Sequence, residues 1–126
     1  MGTWGIILLV VCVMSATMIG FGLYFSIAGP KKINYVFGYR TPMSMKNLDT
    51  WRFGNTFSGR LMWSTGAVLL VGSLAALFAV MGSSEAVIRT VGIIVIIAHA
   101  VMIFGSVILT EIALRRNFDR NGNHRG

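Results

Sequence analysis

Charge is scarce in this chain. Asp, Glu, Lys and Arg make up 12% of its 126 residues, where a soluble domain carries roughly a quarter. Acid is scarcer still: Asp49, Glu85, Glu111 and Asp119 are the only carboxylate side chains. A soluble domain this small has more surface to cover than these polar side chains allow. Cysteine is nearly absent. Cys12 stands alone, which excludes an internal disulfide framework. One cysteine and two histidines on separate segments give no metal-ligand spacing, so neither a metal site nor any other cofactor is expected. No Ser-His-acid order and no P-loop glycine pattern is present, so no catalytic residue is assigned and an enzyme is not expected.

What is present is apolar. Hydrophobic residues make up 55% of the chain and the mean hydropathy is +0.72, which excludes disorder. A bilayer core about 30 Å thick needs about 20 apolar helical residues, and three segments qualify. They cover about residues 4–28, 61–81 and 86–114. The first two hold no charge, and the third holds Arg89 near its start and Glu111 near its end. No Lys or Arg precedes the first run, which is too long for a secretory signal core, so it reads as a span. Gly82, Ser83 and Ser84 separate the last two spans, which predicts an antiparallel helical hairpin. The tail, 115–126, is polar, and from Asn117 onward it reads as frayed. The expected fold is an all-α membrane protein forming a single membrane domain. It has three transmembrane helices and a short interfacial helix in the loop 29–60.

Basic residues set the orientation. Lys31, Lys32, Arg40, Lys46, Arg52 and Arg60 lie in the first loop, and Arg115, Arg116, Arg120 and Arg125 in the tail. Three spans put both segments on one side and leave Arg89 alone on the other. The positive-inside rule then predicts a bacterial inner-membrane protein with a cytoplasmic loop and C-terminus and an outside N-terminus. The net charge of +7 reports this asymmetry. No folded basic domain exists to read nucleic acid, and attraction to anionic lipid accounts for the charge more simply. Trp4, Trp51 and Trp63 fall near predicted interfaces, as aromatic anchors do.

The loop is longer than a connection requires. Gly38 permits a tight turn, Pro42 holds Thr41 extended, and either Thr41 or Ser44 suits an N-cap. The helix that follows is expected from about Met45 to Phe57, weakly amphipathic and suited to the interface. It either stands alone or runs on into the second span past Gly59. Arg40 is set to fork onto a carboxylate, a phosphate or a helix C-terminus, or else to snorkel to lipid phosphate. Asp49 is a candidate local partner for Arg52 or Arg40, and Glu111 for Arg115 one turn later.

The spans carry stripes of small and hydroxyl residues, which let helices approach closely. These are Ser15, Gly22 and Ser26 in the first; Thr65, Gly72, Ala76 and Ala79 in the second; Gly92, His99, Ser106 and Thr110 in the third. His99, near mid-span, either bonds a neighbouring helix or lines a proton path or ligand cleft. A coupling-ion role for Glu111 is the corresponding sharper reading of that residue.

The string Asn34…Phe37-Gly38-Tyr39-Arg40-Thr41-Pro42-Met43-Ser44-Met45, followed by Trp51, Asn55 and Gly59, resembles the signature of the SdpI family of bacterial membrane proteins. Trp51 follows Pro42 by nine positions and Asn55 follows Trp51 by four, as in that signature. The resemblance is close over about Asn34 to Gly59 and covers the spans by topology. It implies a short three-span relative of an immunity protein that shields a bacterium from its own secreted killing peptide and helps hold a transcriptional repressor at the membrane. The implied binding residues are Asn34, Gly38, Arg40, Thr41, Pro42, Trp51 and Asn55, with Arg40, Asn34 and Asn55 expected to meet in one polar site. The expected partners are the lipid bilayer, a toxin peptide or soluble regulatory protein, and a second copy of the chain. Two other classes stay open: an oligomeric transporter or channel subunit with His99 facing a hydrated cavity, and a membrane-anchored signalling or scaffold module.

Overall fold

A computed structural model describes residues 2–125. Three helices account for most of it: α1 (Thr3–Ile27), α2 (Leu48–Ala79) and α3 (Glu85–Asn117). All three are long and apolar enough to cross a membrane. No strand forms among the described residues beyond one isolated bridge in the tail.

The helix ends follow from local chemistry. α1 stops where Gly29, at φ +63°, turns the chain left-handed. The Ala28 and Gly29 amides both donate to the Tyr24 carbonyl, at 2.9 and 2.8 Å, and Pro30 follows. α2 starts at a capping box: Asn47 Oδ1 accepts from the Thr50 amide (2.9 Å) and Thr50 Oγ1 accepts from the Asn47 amide (3.1 Å). α3 is capped by the Ser84 side chain, begins with acidic Glu85 and ends with basic Arg115 and Arg116, each matching the helix dipole.

The interfacial helix does not stand alone, and the run-on alternative holds. Residues 48–57 are the first turns of α2, whose 32 residues span about 48 Å at 1.5 Å per residue, well beyond a bilayer core, while Met45, Lys46 and Asn47 precede it. Gly59 does not interrupt the helix. It faces α1, and the contact it makes there stabilises a continuous helix. The cap is Asn47 rather than Thr41 or Ser44. Those two bond each other reciprocally, Thr41 N to Ser44 Oγ (2.9 Å) and Ser44 N to Thr41 Oγ1 (3.2 Å), and close a turn that goes no further.

Contacts between helices fix their directions. Near the start of α1, Trp4 Nε1 donates to the Leu77 carbonyl late in α2 (2.7 Å). Near its end, Gly22 meets Gly59 and Trp63 early in α2. The two helices are therefore antiparallel. Thr3 bonds Glu85, Ile7 packs on Gly92, and Ser15 bonds His99, so α1 and α3 run parallel. The α2–α3 hairpin is thus antiparallel, turning at Gly82 with φ +84°. Ile7, Val11, Leu77, Ile88 and Val95 form the apolar core at this end.

The small-residue stripes of α1 and α3 are packing seams: Ser15, Gly22, Gly92, His99, Ser106 and Thr110 are all buried. That of α2 is the expected one only at Ala76, which packs against the core. Its seam is Gly59, Gly66, Ser73 and Leu77, whereas Gly72 and Ala79 face outward. Small residues occur on two sides of α2, and the side that packs is the one in line with buried Trp51 and Asn55.

The tail is not frayed. Phe118 is buried and stacks edge-on against Phe53 at 5.5 Å. The Asp119 amide donates to the Asn123 carbonyl (2.7 Å), and the Arg125 amide to the Asn117 carbonyl (3.0 Å). Asn47 Nδ2 reaches the Gly122 carbonyl (2.7 Å), so the cap of α2 also holds the tail. The Asp119 carboxyl is held below its ordinary pKa, chiefly by the Asn123 amide. Gly126, the last residue of the expected tail, lies outside the described residues.

Candidate functional site

The loop between α1 and α2 folds as a cap over one end of the bundle, and buried polar bonds hold it there. Trp51 is fully buried, and its Nε1 donates to the Pro30 carbonyl (2.7 Å). It is therefore a core residue rather than the expected interfacial anchor. Four residues on, Asn55 is also buried. Its Oδ1 accepts from the Tyr39 amide (2.8 Å) and its Nδ2 donates to the Trp51 carbonyl (2.9 Å). One turn apart on α2, the two side chains thus grip both limbs of the loop. Gly38 lies between them at φ +110°. A Cβ there would meet Asn55 Oδ1 at 2.8 Å and Trp51 Cη2 at 3.2 Å. Both the backbone conformation and the space demand glycine.

Tyr39 ties this cap to α3. Its hydroxyl donates to Glu111 Oε1 (2.6 Å) and lies 3.2 Å from the Val107 carbonyl. Burial, then the Glu111 hydrogen bond and charge, hold the phenol well above its ordinary pKa, so it remains a donor. Gly54 makes room for the ring: a Cβ there would touch Tyr39 Cδ1 at 3.1 Å. Glu111 is thereby bonded to Tyr39 rather than to Arg115, contrary to the expected pair. Asp49 likewise pairs with neither Arg52 nor Arg40, and its carboxylate lies 3.8 Å from His124. The sequence marks Tyr39 only by its position between Gly38 and Arg40.

The remaining candidates sit apart. Asn34 Oδ1 accepts from the Val36 and Phe37 amides (3.0 and 2.7 Å), an Asx turn within the loop. That turn directs Phe37 onto Phe21, Tyr24 and Phe25 of α1, with ring centres 5.2–5.8 Å apart. Arg40 is exposed and bonds the Tyr35 carbonyl. Pro42 is exposed beside Thr41. Arg40, Asn34 and Asn55 therefore form no common polar centre. Asn55 belongs to the buried cluster, Asn34 shapes the loop, and Arg40 stands at the surface.

The spacing of the buried cluster along the chain is that of a family. The SdpI/YfhL protein family profile matches residues 31–110, taking in the loop after Pro30, all of α2 and most of α3. The chain belongs to the SdpI/YfhL family. Within it, the uncharacterised protein YfhL of Bacillus subtilis (strain 168) is 34% identical over 98 residues, covering 78% of this chain and 79% of that protein. No solved structure matches. Of the residues in which the chain resembles the SdpI signature, Gly38, Trp51 and Asn55 seat the loop and Gly59 packs against α1.

His99 lies outside this cluster, fully buried near the middle of α3. Nδ1 is 2.7 Å from the Val95 carbonyl, and Nε2 is 2.7 Å from Ser15 Oγ on α1. A carbonyl only accepts, so Nδ1 carries a proton and donates to it. Nδ1 is engaged within α3 itself, and Nε2 joins α3 to α1. His99→Leu should weaken the bundle by about 1 kcal/mol, the scale of interhelical hydrogen bonds in membranes. In a double-mutant cycle with Ser15→Ala, read by unfolding in detergent, the two losses should not add. Full additivity would show that the bond contributes nothing. Among the described residues no group of three or more His, Cys, Asp or Glu side chains comes together as a metal site.

Proposed function

We propose that this chain is an immunity-type protein of a bacterial inner membrane, protecting its host against a secreted, membrane-active toxin peptide by binding it or blocking its effect. In this reading the loop cap and the C-terminus face the cytoplasm. Ten of the eleven basic side chains, all but Arg89, lie in the loop, the first turns of α2 or the tail, as the positive-inside rule requires.

One observation supports the reading above others. The residues shared with the SdpI signature are concentrated in a single rigid cap, with Asn55, Trp51 and Gly38 inside it and Arg40 presented on its surface. A loop serving only to connect two spans has no need of buried side-chain bonds to both helices. Arg40 is the side chain this scaffold displays, and its fork suits a carboxylate or phosphate of a bound partner.

The test is deletion of the gene followed by challenge with secreted killing peptides. Sensitivity should rise, the intact gene should restore protection, and an inserted, folded Arg40→Ala protein should not. Unchanged sensitivity of the deletion strain would sink the reading.

A further inference from the structure

The docked tail creates a basic pocket that the loop cap does not account for. It lies between the turn before α2 and the end of α3 and has a volume of about 430 Å³, within the range of small-ligand sites. Lys46, Arg115, Arg120 and Arg125 line it around the ring of Phe118. The single acid in the lining, Asp119, is already engaged: its Oδ1 accepts from the Asn121 and Asn123 amides, at 2.9 and 3.0 Å. Lys46 Nζ bonds the Arg120 carbonyl, and Arg125 Nε bonds the Arg115 and Phe118 carbonyls at 2.8 Å. Those bonds fix two cations in place, and the only opposing charge in the lining is the Asp119 carboxylate, which interacts with Arg125. Among the described residues none of the four forms a salt bridge. Four cations against one carboxylate leave the cavity net positive, and an entering anion would be attracted to it.

Depth identifies the anion. The apolar run of α3 ends at Leu114 and positive charge begins at Arg115, so the pocket opens where the hydrocarbon layer gives way to lipid headgroups. Basic pockets at that level suit phosphate-bearing headgroups, and guanidinium forks bond phosphate oxygens in pairs. We propose that this pocket binds a phosphate group, supplied by an anionic phospholipid headgroup. The bound lipid would hold the tail, the turn before α2 and the end of α3 together. This inference does not depend on the protective activity proposed above.

The experiment uses the full chain in a neutral detergent and follows its melting temperature. Phosphatidylglycerol, phosphatidylcholine and inorganic phosphate are added at matched concentrations. Phosphatidylglycerol should raise the melting temperature by several degrees and phosphatidylcholine should not. The double variant Arg115→Gln/Arg120→Gln should lose that shift. Both side chains are exposed, so the variant should melt like the parent without lipid. Arg52→Gln/Arg60→Gln removes the same charge from the exposed surface of α2 and should keep the shift. An equal rise with inorganic phosphate, lost in the pocket variant, would keep the site and assign its phosphate to a soluble source. Equal loss in both double variants would reduce the effect to diffuse surface attraction and overturn the proposal, as would the absence of any shift. Native mass spectrometry supplies a second readout: the parent should retain phosphatidylglycerol through detergent removal and the pocket variant should not.

Discussion

Trp51→Ala should cost about 3–5 kcal/mol, the range for deleting a fully buried large aromatic side chain. Trp51 is 0% exposed, so its removal leaves a void beneath the loop. It also deprives the Pro30 carbonyl of its donor. Detergent unfolding should report the loss of stability, and protease should cut residues 28–47 far sooner than in the parent. Trp51→Phe separates the two contributions. It keeps most of the packing, removes the indole N–H, and should cost about 1 kcal/mol, the net worth of one hydrogen bond. If Trp51→Ala unfolded like the parent, the loop would not be held from below, and the rigid cap on which the immunity reading rests would be lost with it.

The second large effect is expected at the closest helix approach. A Cβ on Gly22 would lie 2.5 Å from the Trp63 amide nitrogen and 2.7 Å from the Gly59 carbonyl oxygen. A Cβ on Gly59 would lie 2.7 Å from both the Gly22 carbonyl oxygen and the Ser26 amide nitrogen. All of these are backbone atoms, and no rotamer change relieves them. Gly22→Ala or Gly59→Ala must force α1 and α2 apart, at about 3 kcal/mol or more for such overpacking. Without the glycine pair the helices lose the contact that drives their association in lipid. Gly72→Ala is the control. Nothing lies within 4 Å of that Cβ position, so alanine should be neutral or stabilising through its better helix propensity. Thermal unfolding of the three variants in one detergent decides the matter. Equal stability of all three would show that the α1–α2 seam runs elsewhere.

The cap and the seam explain which parts of the molecule could be read before it was folded. The three spans were legible because each is a long apolar run, and the hairpin was legible from Gly82, Ser83 and Ser84. Gly38, Trp51 and Asn55 were legible as a group because their order and spacing match a family signature. Their physical purpose was not. Asn55 in sequence is an interfacial amide, and only the fold brings the Tyr39 amide to its Oδ1. The acids depart from their local pairing for a related reason. Spacing of four on a helix makes Glu111 and Arg115 neighbours, but a tyrosine from the loop reaches Glu111 first, at 2.6 Å. Phe118 gave a faint hint that the tail docks, being a lone aromatic in a polar segment. Its partner Phe53 is 65 positions earlier in the chain, beyond any local pattern.

The sequence by itself determined the solvent and the element type. With 55% hydrophobic and 12% charged residues distributed as three runs, the backbone must satisfy its hydrogen bonds internally, and in lipid that means helices. It also determined the concentration of positive charge at one end. Only the tertiary structure decided which face of α2 packs, that the loop helix is continuous with that span, and that the tail closes a basic pocket beside it. Lipid and protein interior are equally apolar, so hydrophobicity does not mark the packed face of a membrane helix. Steric fit marks it instead, and fit exists only when Gly22 and Gly59, or Gly38 and Asn55, are brought face to face.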